Sequence, residues 1–306
     1  MRKLGLISVA LLAALLTACS NNTSTKHEGT LNIYTTIYPL QYFTERIAGK
    51  HADVSAIIPP GADAHTFEPS TKDMVKMSDG DAFIYNQSKS DEFSSSVADT
   101  LKEEKVPVID AAKGISLAHM KEHEESEKKD DHGAYDPHIW LDPVLAQQMA
   151  DNIYKQLVHL KPDAKKDFKK NHDQLIKDLQ ALDGKFKEKI EKSPKKTFIV
   201  SHAAYGYWAE RYGLKQIAIS GLSPAHEPTQ HQIQNIIEYT NKEKINYILF
   251  EANVNNKVAD TIKKETGTKS LTLQNLETLT KKDIKNKRDY LSIMNDNIDT
   301  LTKALQ

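Results

Sequence analysis

Cysteine is almost missing: Cys19 is the only one in 306 residues. No disulfide can form within the chain, and neither a thiolate zinc cluster nor a catalytic thiol can be assembled. Any metal centre must therefore use imidazole and carboxylate. An excess of one charge is missing too. The 41 Lys and Arg balance 42 Asp and Glu, which leaves no electrostatic footprint for nucleic acid. The longest apolar run, Leu4–Leu16, falls short of the roughly 20 residues a membrane-spanning helix needs. Twelve histidines are present, yet none stands in HExxH or in a closely spaced ligand pair on one helix.

What is present begins with an address. Arg2 and Lys3 precede the apolar run, and Leu16-Thr17-Ala18-Cys19 closes it with small residues before a cysteine. This is the pattern of an export signal. A terminal cysteine marks a bacterial lipoprotein, cut before Cys19 and acylated on its sulfur, with more than one acyl chain for stable anchoring. Residues 1–18 are thus expected to be removed, which takes two cations and moves the formal charge from −1 to −3. Residues 19–30 form a polar, lipid-anchored tether. The expected location is the extracytoplasmic face of the cell membrane, in a Gram-positive cell.

Beyond the tether, short apolar runs alternate with helical patterns. Leu31–Thr36, Val54–Ile58, Ala82–Tyr85 and Pro107–Ile109 have the character of strands. Between them, Leu40–Ala48, Thr71–Met77 and Glu92–Glu103 have helical spacing. Alternation of this kind implies parallel strands with crossover helices. The order recurs after residue 193, with strands at Thr197–Val200, Gln216–Ile219, Tyr247–Phe250 and Ser270–Leu273. Helices are expected near Tyr205–Tyr212, Thr229–Lys242, Lys257–Thr266 and Tyr290–Leu305. In the middle, Pro143 opens a helix over Val144–Leu160, and a longer one spans about Asp163–Lys192. Its Phe168, Leu175, Ile176, Leu179, Leu182, Phe186 and Ile190 keep one apolar stripe. At 1.5 Å per residue it would reach about 45 Å, long enough to connect two lobes. The predicted architecture is α/β: an N-terminal lobe over 31–162, a connecting helix over 163–192 and a C-terminal lobe over 193–306. Residues 112–135, with HMKEHEESEKKDDHG at their centre, have too few apolar side chains to pack and are expected to be a mobile loop.

In open parallel sheets, ligands bind beyond the carboxyl ends of the strands. Three histidines meet that criterion. His65 follows a strand in PPGADAHTFEP, His138 lies in DPHIWLDP, and His202 comes two residues after an apolar run in FIVSHAAYGYW. His159 and His172 sit on charged helices, His27 and His51 in polar stretches, and His226 and His231 near the GLSPAHEP turn.

The lipobox, PPGADAHTFEPS, DPHIWLDP, VSHAAYGYWAERYGL and ISGLSPAHEPT occur in order. Together they resemble the zinc and manganese solute-binding lipoproteins of bacterial ABC transporters, and within them the zinc-specific branch, the ZnuA/AdcA type. The resemblance runs from about Leu31 to the C-terminus. It implies two Rossmann-like lobes joined by one long helix, with metal held between them and no enzymatic activity. Carried over by motif, His65, His138 and His202 are metal ligands. His202 stands where the manganese branch usually has a carboxylate. A carboxylate following the last strand of the second lobe would be Glu277, in LTLQNLETLT; relatives close this position with either a carboxylate or water. The implied cargo is Zn²⁺, the implied partners are the membrane subunits of an ABC permease, and the expected state is a monomer.

Three neutral imidazoles and one carboxylate suit tetrahedral zinc, whereas manganese prefers more oxygen. Affinity is expected to fall below about pH 6.5, where imidazole takes up its proton. Ligating histidines usually give their other ring proton to a carboxylate or carbonyl. Glu68, Asp142, Glu227 and Glu251 are candidates for that role, and Trp140, Tyr205 and Trp208 for walling the site. His119, His123 and His132, in the acidic loop, are candidates for low-affinity capture. A manganese receptor of the same architecture is the leading alternative; a zinc hydrolase and a surface adhesin rank below it.

Overall fold

A computed structural model describes residues 29–86, 92–118, 135–222, 228–252 and 257–306. Cys19, His27, His119, His123, His132, His226 and Glu227 lie outside the described residues. The first half runs β1 (Leu31–Thr35), α1 (Tyr38–Ala48), β2 (Ala52–Ala56), α2 (Thr71–Ser78), β3 (Ala82–Tyr85), α3 (Glu92–Glu103) and β4 (Val108–Asp110). Then come α4 (Pro143–Leu160) and α5 (Lys165–Glu191). The second half runs β5 (Thr197–Val200), α6 (Gly206–Tyr212), β6 (Lys215–Ala218), α7 (Gln230–Lys242), β7 (Tyr247–Glu251), α8 (Lys257–Thr266), β8 (Lys269–Leu273), α9 (Lys281–Lys285) and α10 (Tyr290–Ala304). Most predicted elements appear within two residues of their expected bounds. The long helix is shorter by a turn, 27 residues. Pro162 starts a separate 3-10 turn over Pro162–Ala164 before it.

Each half holds a four-stranded sheet, ordered β2-β1-β3-β4 and β6-β5-β7-β8. Every pairing is parallel. Parallel sheets need cover on both faces, and alternate residues of a strand point to opposite faces. The inner strands obey both rules. In β3, Ala82 and Ile84 join the central core while Phe83 and Tyr85 join a separate cluster with Val97, Ala98 and Leu101 of α3. In the second sheet, Phe198 and Val200 face the centre, and Ile199 packs with Ile236 of α7 and Ile262 of α8.

The central core is continuous across both halves. It includes Leu40 and Phe43 of α1, Met149 and Ile153 of α4, the Phe168–Ile190 stripe of α5, and Ile293, Ile298 and Leu301 of α10. The amphipathic helix that looked like a connector is thus packed along its whole length, which opposes wide separation of the sheets. Tyr290 of α10 stacks on Tyr42 and meets Phe43 edge-on, with centroids 5.5 and 5.0 Å apart.

In both sheets the chain leaves the first strand to one side and returns on the other. The crevices between β1 and β3 and between β5 and β7, at their carboxyl ends, are the places where such sheets hold ligands. Among the described residues, no helix is long and apolar enough to cross a membrane.

Candidate metal centre

The three histidines singled out by their strand-end positions come together. Their candidate ligand nitrogens all lie within 4.8 Å of one another. Ring centroids are 5.8 Å apart for His65 and His138, 5.2 Å for His65 and His202, and 5.0 Å for His138 and His202. Glu277 joins them: its Oε1 is 3.1 Å from His65 Nε2 and 3.5 Å from His138 Nε2. Two imidazole nitrogens on a tetrahedral zinc sit about 3.4 Å apart, so the cluster needs a contraction on the order of 1 Å to close on an ion.

Each side chain arrives by a different route. His65 lies on the turn after β2, where its N–H donates to Asp63 Oδ1 at 2.9 Å. His138 is carried by the segment between β4 and α4, which Asn86, directly after β3, pins by donating from Nδ2 to Pro137 O at 2.8 Å. His202 follows β5 directly, and Glu277 follows β8 in a loop entered through Leu276, whose φ is +64°. The Glu277 loop touches the first half as well. Its carbonyl accepts from Tyr38 N–H at 2.9 Å, and Thr278 Oγ1 donates to Ala62 O at 3.2 Å.

Orientation comes from buried carboxylates. His138 is fully buried, and its Nδ1 sits 2.7 Å from Asp136 Oδ1, which also accepts the His138 N–H at 2.9 Å. His202, equally buried, places Nδ1 2.9 Å from Glu251 Oε1. Its Nε2 faces Leu222 O at 2.7 Å, so an ion taking that nitrogen must displace the carbonyl. Of the four carboxylates expected to hold ligand rings, Glu251 does so. Asp142 instead caps α4, accepting from Val144 and Leu145 N–H at 2.8 and 3.2 Å, and pairs with Arg211. Glu68 is exposed. Asp136 was missed, although its place two residues before His138 is the spacing of an Asx turn.

Two nitrogens stand out chemically. His65 Nε2 and His138 Nε2 are buried, close to Glu277, and yet without a hydrogen bond of proper geometry. Buried polar atoms are rarely left so. Orphaned nitrogens beside a carboxylate are what a metal donor set looks like before an ion closes it. Burial alone would raise the Glu277 carboxyl, but the two imidazoles hold it well below the usual carboxylate range. For His65, burial opposes the charged form and Glu277 overcomes it, raising the imidazole. For His138, burial is outweighed by Asp136 and Glu277, which push it up to about 10.

Of the three aromatic residues expected as walls, Trp140 and Tyr205 touch the cluster or its carboxylate, while Trp208 packs behind Tyr205. Trp140 lies edge-on to His138 at 5.3 Å and donates from Nε1 to Asn275 O at 2.7 Å. Tyr205 reaches Glu251 Oε1 at 3.5 Å, and Trp208 packs on Tyr205 and Phe186. Two further histidines among the described residues have structural roles. His172 is a satisfied core histidine, 2.7 Å from Asp151 Oδ1 and stacked on Tyr154. His51 pairs with Asp167 at 2.9 Å.

Two parallel sheets bound by one core bring imidazole and carboxylate side chains together in a candidate metal centre. A family described as the zinc-uptake complex component A, periplasmic, matches residues 33–304, and the chain belongs to that family. It is 39% identical to the zinc-binding lipoprotein AdcA of Streptococcus pneumoniae over 99% of its own length, but spans only 61% of that relative. It is 37% identical to the high-affinity zinc uptake system protein ZnuA of Bacillus subtilis, covering 98% of this chain and 97% of the relative. Among solved structures, the Zn(II)-bound ZnuA-like domain of S. pneumoniae AdcA superposes with a TM-score of 0.76 at 38% identity, over 90% of this chain and 99% of that domain.

Proposed function

We propose that the chain is a lipid-anchored receptor that binds Zn²⁺ outside the cell through His65, His138, His202 and Glu277 and delivers it to an ABC permease. The observation that carries this is the buried cluster of three imidazoles around one carboxylate, two of whose nitrogens lack hydrogen-bond partners. Zinc suits three nitrogens and one oxygen in a tetrahedron; manganese would call for more oxygen donors. With Glu277 in the fourth position, no open coordination site remains for a hydrolytic water, so the protein is a receptor and not an enzyme. Family membership and the zinc-binding names of relatives over nearly the whole chain support the same reading.

In this reading residues 1–18 are the signal, Cys19 carries the lipid, and 19–30 form the tether. Residues 31–162 and 193–306 are the metal-binding lobes, with 163–192 as the connector, and the protein acts as a monomer. His119, His123 and His132 would serve as a low-affinity collecting loop. The shared core holds the sheets together, so loading and release proceed through local movement of ligand loops. The His65 turn is the least enclosed of the four, its ring being the most exposed at 13%.

Titration of metal-free protein with Zn²⁺ and Mn²⁺ in competition tests the proposal. Zinc is expected to win by a factor on the order of 10² or more, and Glu277→Gln to weaken zinc about 10–100-fold. Equal affinity for the two ions would shift the reading to the manganese receptor. An unaffected Glu277→Gln variant would leave the fourth position to water.

A further inference from the structure

Helix α6 belongs to the second half, but much of its inner face is bonded to the first. Trp208 Nε1 donates to Leu141 O at 2.6 Å, and Arg211 pairs with Asp142. Both contacts fix the DPHIWLDP segment beyond its histidine. Tyr207 acts ahead of it. Its hydroxyl donates to Asp136 O at 2.7 Å and accepts from Ala118 N–H at 3.1 Å. Asp136 N–H in turn donates to Ala118 O at 3.1 Å. The three residues close a ring of hydrogen bonds that joins the chain on either side of residues 119–134.

We infer that Tyr207 is a positioning residue for metal binding, whose hydroxyl holds the Asp136 main chain so that the Asp136 carboxylate can hold the His138 ring. The inference rests on the receptor function proposed above. Both peptide groups of Asp136 are fixed within that ring of bonds, while its Oδ1 takes both the N–H and the Nδ1 of His138. Tyr207 is buried, so water does not readily replace its hydroxyl. The preceding residue must be small. A Cβ on Gly206 would come within 2.8 Å of Asp136 Oδ2, and glycine there lets α6 approach closely enough for Tyr207 to reach. The orientation of a first-half ligand is therefore set by a hydroxyl from the second half.

Removing that hydroxyl leaves the Asp136 carbonyl and the Ala118 N–H without their shared partner. His138 should then leave the ion more often, which shows as faster release. Tyr212→Phe is the control. It lies on the same helix and loses one hydroxyl bond, but to Asp183 Oδ1 at 3.1 Å on α5 and not to the His138 segment.

The test measures zinc release into excess chelator by stopped flow for the wild type, Tyr207→Phe and Tyr212→Phe, with metal-free melting temperatures alongside. Visible spectra of the Co²⁺-loaded proteins report the ligand geometry. Tyr207→Phe is expected to release zinc about tenfold faster and to alter the cobalt bands. Tyr212→Phe should stay within about twofold in rate with unchanged bands, whatever either does to melting. A Tyr207→Phe rate within about twofold of wild type, or equal acceleration in both variants, would overturn the inference. Wild-type protein that takes up no zinc would instead overturn the receptor function on which it rests.

Discussion

His138→Ala is expected to weaken zinc binding on the order of 10³-fold, the largest loss of any single substitution in the cluster. His138 is the ligand most tightly held: fully buried, bonded to Asp136 through both its N–H and its ring, and edge-on to Trp140. A ring so fixed gives up little freedom when the ion arrives. Partners that only orient a ligand are worth about 10–100-fold, so loss of the ligand itself should exceed that. Competition against a chelator of known affinity measures the effect. A loss below about tenfold would mean that His138 is not bound to the ion.

Zinc affinity is also expected to fall at least about tenfold for each pH unit lowered around neutrality. The ordinary histidine value would put the loss below about pH 6.5; the structure moves it upward. Asp136 and Glu277 together overcome the burial of His138 and push it up to about 10, and Glu277 raises His65. The metal-free cluster therefore holds protons at neutral pH, and an ion that needs neutral imidazole must expel them. For the fold itself the sign is opposite. A raised histidine stabilises the metal-free protein fully below about 6.5, and that contribution is lost as pH rises through about 10. The zinc-induced rise in melting temperature should thus grow as pH increases across neutrality. Calorimetry in buffers of different ionisation enthalpy should detect at least one proton released per zinc. Heats that are independent of buffer, with affinity flat across neutrality, would show that the imidazoles are already neutral.

Much of this was legible in the chain because local pattern and global fold agree. Strand-sized apolar runs alternate with helical ones, and strand ends and stiff proline turns made His65, His138 and His202 candidates among twelve histidines, with the family resemblance marking them as ligands. Glu277 could not be found that way. Nothing in LTLQNLETLT distinguishes a ligand from a loop glutamate, and only resemblance to the family singled it out. The carboxylates divided by how local their contacts are. Asp136 reaches His138 across two residues and could have been inferred from the turn. Asp142, by contrast, proved to be a helix cap, which Pro143 immediately after it already signalled. Tyr207 was invisible for a different reason. Its contacts to Asp136 and Ala118 span 71 and 89 residues, and no periodicity encodes such a meeting. The single core was hidden likewise, because an amphipathic stripe shows that α5 is packed but not that both halves share the packing.

Four side chains from four separate segments are expected to share one dication, and X-ray absorption at the zinc edge of the loaded protein tests this directly. The expected spectrum has about three imidazole nitrogens and one carboxylate oxygen at about 2.0–2.2 Å, with multiple scattering from the imidazole rings. A shell of roughly six oxygens, or one with fewer than about two imidazoles, would contradict it.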